Sequence, residues 1–224
     1  ATTGTEVSFV SYLGDDQLSA QLDQHLKSSH IRHLYTPVIA GPPSHVAIPV
    51  AADGERTIVV ISDDKLDQVS LVGKPIKGKD LVVFVIWRSH FVADLEIARA
   101  AGAITVVGSA ALTDQNVRSA DYLIGSREDF SGEYSVDAAL HRFTHIVVTD
   151  GARGATLYGP DGSHFQPAVT ADVVDTTGAG DAFLSGLLHY LAVHGVLNSD
   201  AMALAAKWAA LTVSTEGSIP PRFH

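Results

Sequence analysis

Asp175-Thr176-Thr177-Gly178-Ala179-Gly180-Asp181-Ala182-Phe183 is the stretch on which the fold turns. Before it, Ala168–Val174 is rich in β-branched residues and reads as a strand; after it, Ala182–His194 reads as a helix apolar almost all round, expected to lie buried in the body of the fold. A strand, a glycine-rich turn and a helix aim free backbone N–H groups and the positive end of the helix dipole at one spot. Gly178 and Gly180 carry no Cβ, so an anion can approach the chain closely. The expected product is an anion hole made by Gly178, Ala179 and Gly180, suited to a phosphoryl group. Two known phosphate loops do not fit. No lysine follows the glycines as a P-loop requires, and Phe183 stands where a dinucleotide fingerprint needs its third glycine, which disfavours a dinucleotide-dependent oxidoreductase.

Asp181 is the odd residue of the stretch. In the first turn of a helix a carboxylate is often only a cap or dipole partner. Here it follows an anion hole, where a second negative charge would repel bound phosphate. The arrangement makes chemical sense if Asp181 takes the proton from a hydroxyl attacking that phosphate, as the general base of a phosphoryl transfer.

Outward from this loop, β-rich runs alternate with helical ones, the rhythm of an α/β fold with a largely parallel sheet. Strands are expected over Glu6–Tyr12, Asp80–Trp87, Ile104–Val107, Tyr122–Ile124 and His145–Thr149, with helices over Gln17–Ser28, Phe91–Ala101 (closed by Gly102) and Asp200–Thr215. In the first helix Leu18, Leu22 and Leu26 share a face. Ser44–Val50 and Thr57–Ile61 flank Asp53-Gly54, a hairpin signal, and form an excursion from the main sheet that is either a lid or an edge hairpin.

Composition narrows the function. Fifteen Lys and Arg against twenty-five Asp and Glu give a net charge of −10, with no two basic residues adjacent, which argues against nucleic acid as a partner. The longest apolar run, Leu81–Trp87, has seven residues and is too short for a membrane span. The chain has no cysteine, so thiol nucleophiles and sulfur-ligated zinc are excluded, and a reducing, cytoplasmic setting is expected. The eleven histidines form no ligand pattern; His30 and His33 are placed on a loop, and Trp87 and Trp208 in the core or a pocket wall.

The stretch DTTGAGDAF resembles the C-terminal signature of the ribokinase-like, or PfkB, family of carbohydrate and nucleoside kinases. Val7–Asp16 (VSFVSYLGDD) resembles that family's strand and turn after its first glycine motif, Ser44–Val60 its lid strands, and Val147–Tyr158 (VVTDGARGATLY) its T-x-G-x-x-G nucleotide segment. The resemblance implies a three-layer α/β sandwich with a mostly parallel central sheet and a small β lid at residues 44–61, one domain over residues 1–224. A strand and a Gly-Gly-x-x-Asn sugar motif are expected before residue 1.

It also implies roles. Asp181 would be the catalytic base, and Gly178, Ala179 and Gly180 would hold the transferring phosphoryl group. Thr149, Gly151 and Gly154 would line the ATP site, with Arg153 reaching phosphates. Asp175 and Thr177, with Gly217, would hold a monovalent cation such as K⁺, while Mg²⁺ would arrive mainly with ATP. The family's Asn-x-x-Glu motif aligns with Ser126-Arg127-Glu128-Asp129, so Ser126 stands in the nucleotide site and Glu128 or Asp129 could reach Mg²⁺ through water; alternatively Ser126 caps the next helix. Arg88 matches an arginine of some keto-sugar kinases and is a candidate substrate contact, or an exposed loop residue. Asp15 would touch a sugar hydroxyl or shape its turn. Ala206 falls where many members carry an asparagine beside the adenine. The reading is an ATP-dependent sugar kinase, with a homodimer through the lid strands. The alternatives are a nucleoside or vitamin kinase of the same fold, or a degenerate nucleotide-binding protein.

Overall fold

The computed structural model describes residues 4–47, 59–60 and 65–217. The chain divides into two compact units, residues 1–72 and 73–224. In the first, β1 (Ser8–Val10) pairs in parallel with β2 (His33–Tyr35), and α1 (Gln17–Ser28) connects them. Asp16 caps α1 by accepting from Ser19 N at 2.8 Å, and the buried Ser19 hydroxyl accepts from Gly14 N at 2.9 Å. The first strand is thus shorter than Glu6–Tyr12, and His33 lies in a strand rather than a loop. The leucine stripe of α1 is exposed at Leu18 and Leu22. Of the expected hairpin, β3 (Val46–Ala47) pairs antiparallel with β4 (Val59–Val60). Its Asp53-Gly54 turn lies outside the described residues.

The second unit is built on a six-stranded sheet ordered β10-β9-β8-β7-β6-β5. Strands β5 (Leu81–Phe84), β6 (Ile104–Gly108), β7 (Ala120–Ser126) and β8 (Phe143–Thr149) are parallel. The hairpin β9 (Gly154–Gly159) and β10 (Gly162–Pro167) continues the sheet antiparallel. Helices α2 (Phe91–Ala100), α3 (Val136–Ala139), α4 (Ala179–His194) and α5 (Ser199–Val213) complete the unit. The core unites Val106 and Val147 of the sheet with Phe183, Leu187 and Leu191 of α4 and Met202 and Ala205 of α5. Burying each large apolar side chain contributes about 1.5–3 kcal/mol. This is the mostly parallel α/β sheet with helices that the sequence led us to expect.

Three expectations are corrected. The apolar run Asp80–Trp87 is a strand only as far as Phe84, because its partner β6 runs out at Gly108 after Phe84↔Val107; Val85 and Ile86 then bend into solvent. Ala168–Val174 is not a strand. The sheet edge is taken by β10, and Val174 N and Asp175 N instead donate to Val213 O at the end of α5 (2.7 and 3.1 Å). Helix α4 begins at Ala179, three residues early, and buries one face (Ala182, Phe183, Gly186, Leu187, Leu191) rather than all sides; Val193 is 60% exposed. Trp87 and Trp208 are buried as expected, and Ala206 packs in the core.

Candidate active site

Parallel strands that end side by side place the residues after them in a row, and open α/β sheets bind ligands outside that carboxyl edge. Here the row runs from Arg88 beyond β5 and Ser109 after β6 to Ser126 at the end of β7 and Thr149 at the end of β8. Ser126 and Thr149 are register partners, and Thr149 Oγ1 donates to Gly125 O at 3.3 Å. Gly151–Arg153 form a single 3₁₀ turn leading into β9. Gly154, at its end, has φ +125°, and a Cβ there would lie 2.1 Å from Gln166 O. Its lack of a side chain is therefore required by the close approach of β10, independently of any ligand.

Asp150, which the sequence reading passed over, organises this corner. Its nearly buried carboxylate accepts from Arg127 Nε at 2.6 Å and from Arg153 Nε at 2.7 Å, with a further bond from Arg153. Hydrogen bonding from Arg153 outweighs burial, with help from Arg127, and holds the Asp150 carboxyl below the usual carboxylate range. The same bond, with smaller contributions from the Asp150 and Glu128 charges, raises Arg153. Arg153 is thus paired with a carboxylate while its side chain stays largely exposed. The signal in the sequence was the aspartate inside T-D-G-A-R-G, but its partner Arg127 lies 23 residues away.

Ser126 behaves as a cap. Its N and Oγ both donate to Asp129 Oδ2, at 2.7 and 3.1 Å, so Asp129 closes the turn Arg127–Asp129. Glu128 is exposed. Among the described residues no group of three or more His, Asp or Glu is placed to hold a metal ion. Asp175, Thr177 and Gly217 are brought together, through hydrogen bonds with one another. Asp175 Oδ1 accepts from Thr177 N (2.8 Å) and Oγ1 (2.6 Å), and Oδ2 accepts from Gly217 N (3.2 Å). In the first unit Asp15 shapes its turn: Oδ1 accepts from Gly41 N at 2.9 Å, and Asp15 N donates back to Gly41 O at 3.2 Å.

The glycine loop forms a helix start of the expected kind, in which Ala179 is the one expected amide already bonded within the chain. Gly178, at φ +81°, occupies the left-handed region at the N-cap of α4. Ala179 N turns back to Thr176 O at 3.3 Å, and Ala182 N bonds Gly178 O at 2.8 Å. Among the described residues the amides of Gly178, Gly180 and Asp181 have no such backbone acceptor, so these, rather than Ala179, remain for an anion. A Cβ built on Gly180 meets nothing within 4 Å, so the approach is open. Asp181 is exposed in the same first turn.

One turn further along α4, Leu184 lines a cavity of about 340 Å³ under the ends of β5 and β6. Its walls are Val83–Trp87, Val106, Val107, Gly108 and Ile124, with Arg88 and Ser109 contributing the side-chain polar groups. Arg88 donates to Trp87 O at 2.9 Å. Arg88 and Leu184 of α4 thus line the same cavity.

Unbonded amides and an exposed carboxylate share the first turn of α4, an arrangement suited to a phosphoryl group and to the hydroxyl that attacks it. The profile of the pfkB family of carbohydrate kinases matches residues 1–223, and the chain belongs to that family, whose members phosphorylate sugar hydroxyls. Ribokinase of Dictyostelium discoideum is 24% identical over 255 aligned residues, spanning 96% of this chain and 80% of that protein. Among solved structures, the Burkholderia thailandensis nucleoside kinase in complex with inosine superposes with a TM-score of 0.77 at 24% identity, over 96% of this chain and 75% of that one. The Salmonella enterica aminoimidazole riboside kinase, complexed with aminoimidazole riboside and an ATP analog, gives 0.74 at 20% identity, over 97% and 82%. The fold is ribokinase-like and the chain is a kinase with an alcohol group as acceptor. No helix among the described residues is long and apolar enough to cross a membrane.

Proposed function

We propose that this chain transfers the γ-phosphoryl group of ATP to a hydroxyl of a small carbohydrate, with Asp181 as general base. One observation carries the reading: the unbonded amides of Gly180 and Asp181, the open approach over Gly180 and the Asp181 carboxylate share the first turn of α4. The acceptor lies in the neighbouring cavity, with Arg88 and Ser109 as its polar contacts. Asp181 accepts the hydroxyl proton as the oxygen attacks the γ-phosphorus; the bond from phosphorus to the bridging oxygen breaks, and ADP leaves. The amides of Gly180 and Asp181, at the positive helix end, hold the charge on the transferring group.

The row Ser126, Thr149, Gly151 and Gly154 lines the nucleotide, and the Arg127–Asp150–Arg153 clamp faces its phosphates. Mg²⁺ bound to the nucleotide would neutralise phosphate charge, with Glu128 the exposed carboxylate placed to meet it through water. The tie of Asp175, Thr177 and Gly217 sets the loop ahead of α4, and its oxygens are the donors a K⁺ ion would use. A cytoplasmic enzyme pairing through its lid strands completes the reading. A nucleoside kinase is the second reading, favoured by the apolar walls of the cavity, which suit a flat ring better than a bare sugar.

The test is Asp181→Asn, followed by ADP release in a coupled assay and by ATP binding in calorimetry. Loss of a general base lowers kcat by about a hundredfold or more, while ATP binding stays near that of the parent. Near-normal turnover would remove Asp181 from the base role.

A further inference from the structure

The wall of the cavity contains a feature that phosphoryl transfer does not explain. Trp87 is 5% exposed, and its indole Nε1 donates at 3.1 Å to Oδ2 of Asp114, itself 9% exposed. A buried carboxylate facing an indole is costly to desolvate, and proteins retain such a group where it is well bonded. Asp114 is well bonded on every side. Oδ1 accepts from Asn116 N at 3.0 Å and from Asn116 Nδ2 at 3.2 Å. Its carbonyl accepts from Arg142 at 2.6 Å, and the same guanidinium donates to the carbonyls of Ala111, Leu112 and Val117, pinning the whole 111–117 loop. Burial alone would push this carboxyl up; the bonds from Trp87, Asn116 and Ser89 outweigh it and hold it below its ordinary value.

On its other side Trp87 packs edge-on against Phe84 at 5.5 Å and against Phe91 at 6.3 Å, and its carbonyl accepts from Arg88. The chain of contacts runs from Arg142 through the loop and Asp114 to the indole, and from the indole's own backbone to Arg88. Strand β5 has already ended at Phe84, so no ladder holds Trp87 or Arg88 in place. Beyond the strand, Arg88 O accepts from Phe91 N at 2.9 Å, and the Asp114 bond orders the indole that sits next to it.

We propose that Asp114 is a positioning residue for the acceptor site: it fixes the Trp87 indole as the cavity wall and, through it, the approach of Arg88 to the bound acceptor. This rests on the reading of the cavity as the acceptor site. Asp114→Asn is the informative change. An amide has one oxygen, and the two Asn116 donors compete for it, so the NH₂ turns toward the indole N–H and opposes it. In the parent, ADP release is first measured with ATP against D-ribose, D-fructose and inosine. For the acceptor turned over, Asp114→Asn raises KM about tenfold, the scale of a lost hydrogen bond to a charged group, with kcat and the ATP KM within about twofold.

In a Trp87→Phe background there is no N–H to oppose, and Asp114→Asn adds less than about twofold. That cancellation separates positioning through the indole from a general loosening of the fold, which Trp87→Phe would not relieve. An acceptor KM unchanged by Asp114→Asn, or a tenfold effect that persists with Phe at position 87, overturns the proposal and leaves the kinase reading standing. No turnover by the parent on any of the three acceptors, with no ATP binding, overturns the kinase reading and this proposal with it.

Discussion

Asp150 places a negative charge beside the phosphates of the proposed nucleotide site, and the two guanidiniums that neutralise it are themselves largely exposed. Its folded-state pKa is depressed by those bonds. A carboxyl lowered in this way stabilises the fold fully above its unfolded value of about 3.9 and loses that contribution as pH falls through the lowered folded value. The melting temperature of Asp150→Asn should therefore lie below that of the parent at neutral pH, and the gap should close as both are titrated below about pH 4. A gap of constant size across that range would mean that Asp150 contributes packing and not charge. The residue scale is also where the sequence was hardest to read. Asp181, Gly178 and Gly180 stood out because neighbours in sequence make the helix start. Asp114 and Asp150 each have a near partner, Asn116 and Arg153, but the distant ones that complete their roles, Trp87 and Arg127, lie 27 and 23 residues away, out of reach of any local pattern.

Elements were legible where their cause is local. Helices α1, α2 and α5 follow from apolar spacing and caps: Asn198 accepts from Asp200 N and Ala201 N, and Gly102 closes α2 at φ +76°. The run Ala168–Val174 misled because β-branched composition describes a strand only if an edge is free to pair with, and β10 already occupies it. The hairpin β9–β10 was legible in principle, since Pro160-Asp161-Gly162 is a turn signal between two runs whose burial alternates. Tight packing between α4 and α5 was not. A Cβ on Gly186 would lie 2.8 Å from Ala205 Cα and 3.2 Å from its N. Gly186→Ala gains about 1 kcal/mol of helix propensity, but backbone atoms cannot yield as a side chain can, and overpacking costs about 1–3 kcal/mol. Net destabilisation is expected, read as a lower urea midpoint at unchanged slope. A midpoint at or above the parent's would show that the two helices separate freely.

For the molecule as a whole, the charge of −10 and the proposed affinity for a polyanion pull in opposite directions. A protein that gathers phosphates with a basic surface loses affinity steeply as salt rises, because screening removes long-range attraction. Here the attraction is assigned to two backbone amides and a helix end, with the nearby arginines Arg127 and Arg153 already paired to Asp150. Short-range donors of this kind are little affected by a screening length of about 10 Å at 0.1 M salt. The long-range part of the field is repulsive for ATP, and salt weakens that repulsion. The ATP KM should therefore stay level or fall by up to about threefold between about 0.02 M and 0.2 M tetramethylammonium chloride, with Mg²⁺ and about 10 mM K⁺ held constant. A rise of tenfold or more would mean that unpaired basic side chains dominate the grip, and it would move the nucleotide site away from the start of α4 toward a basic surface. A level profile would leave the helix start as the principal phosphate ligand on an acidic chain, its selectivity coming from hydrogen-bond geometry rather than from net charge.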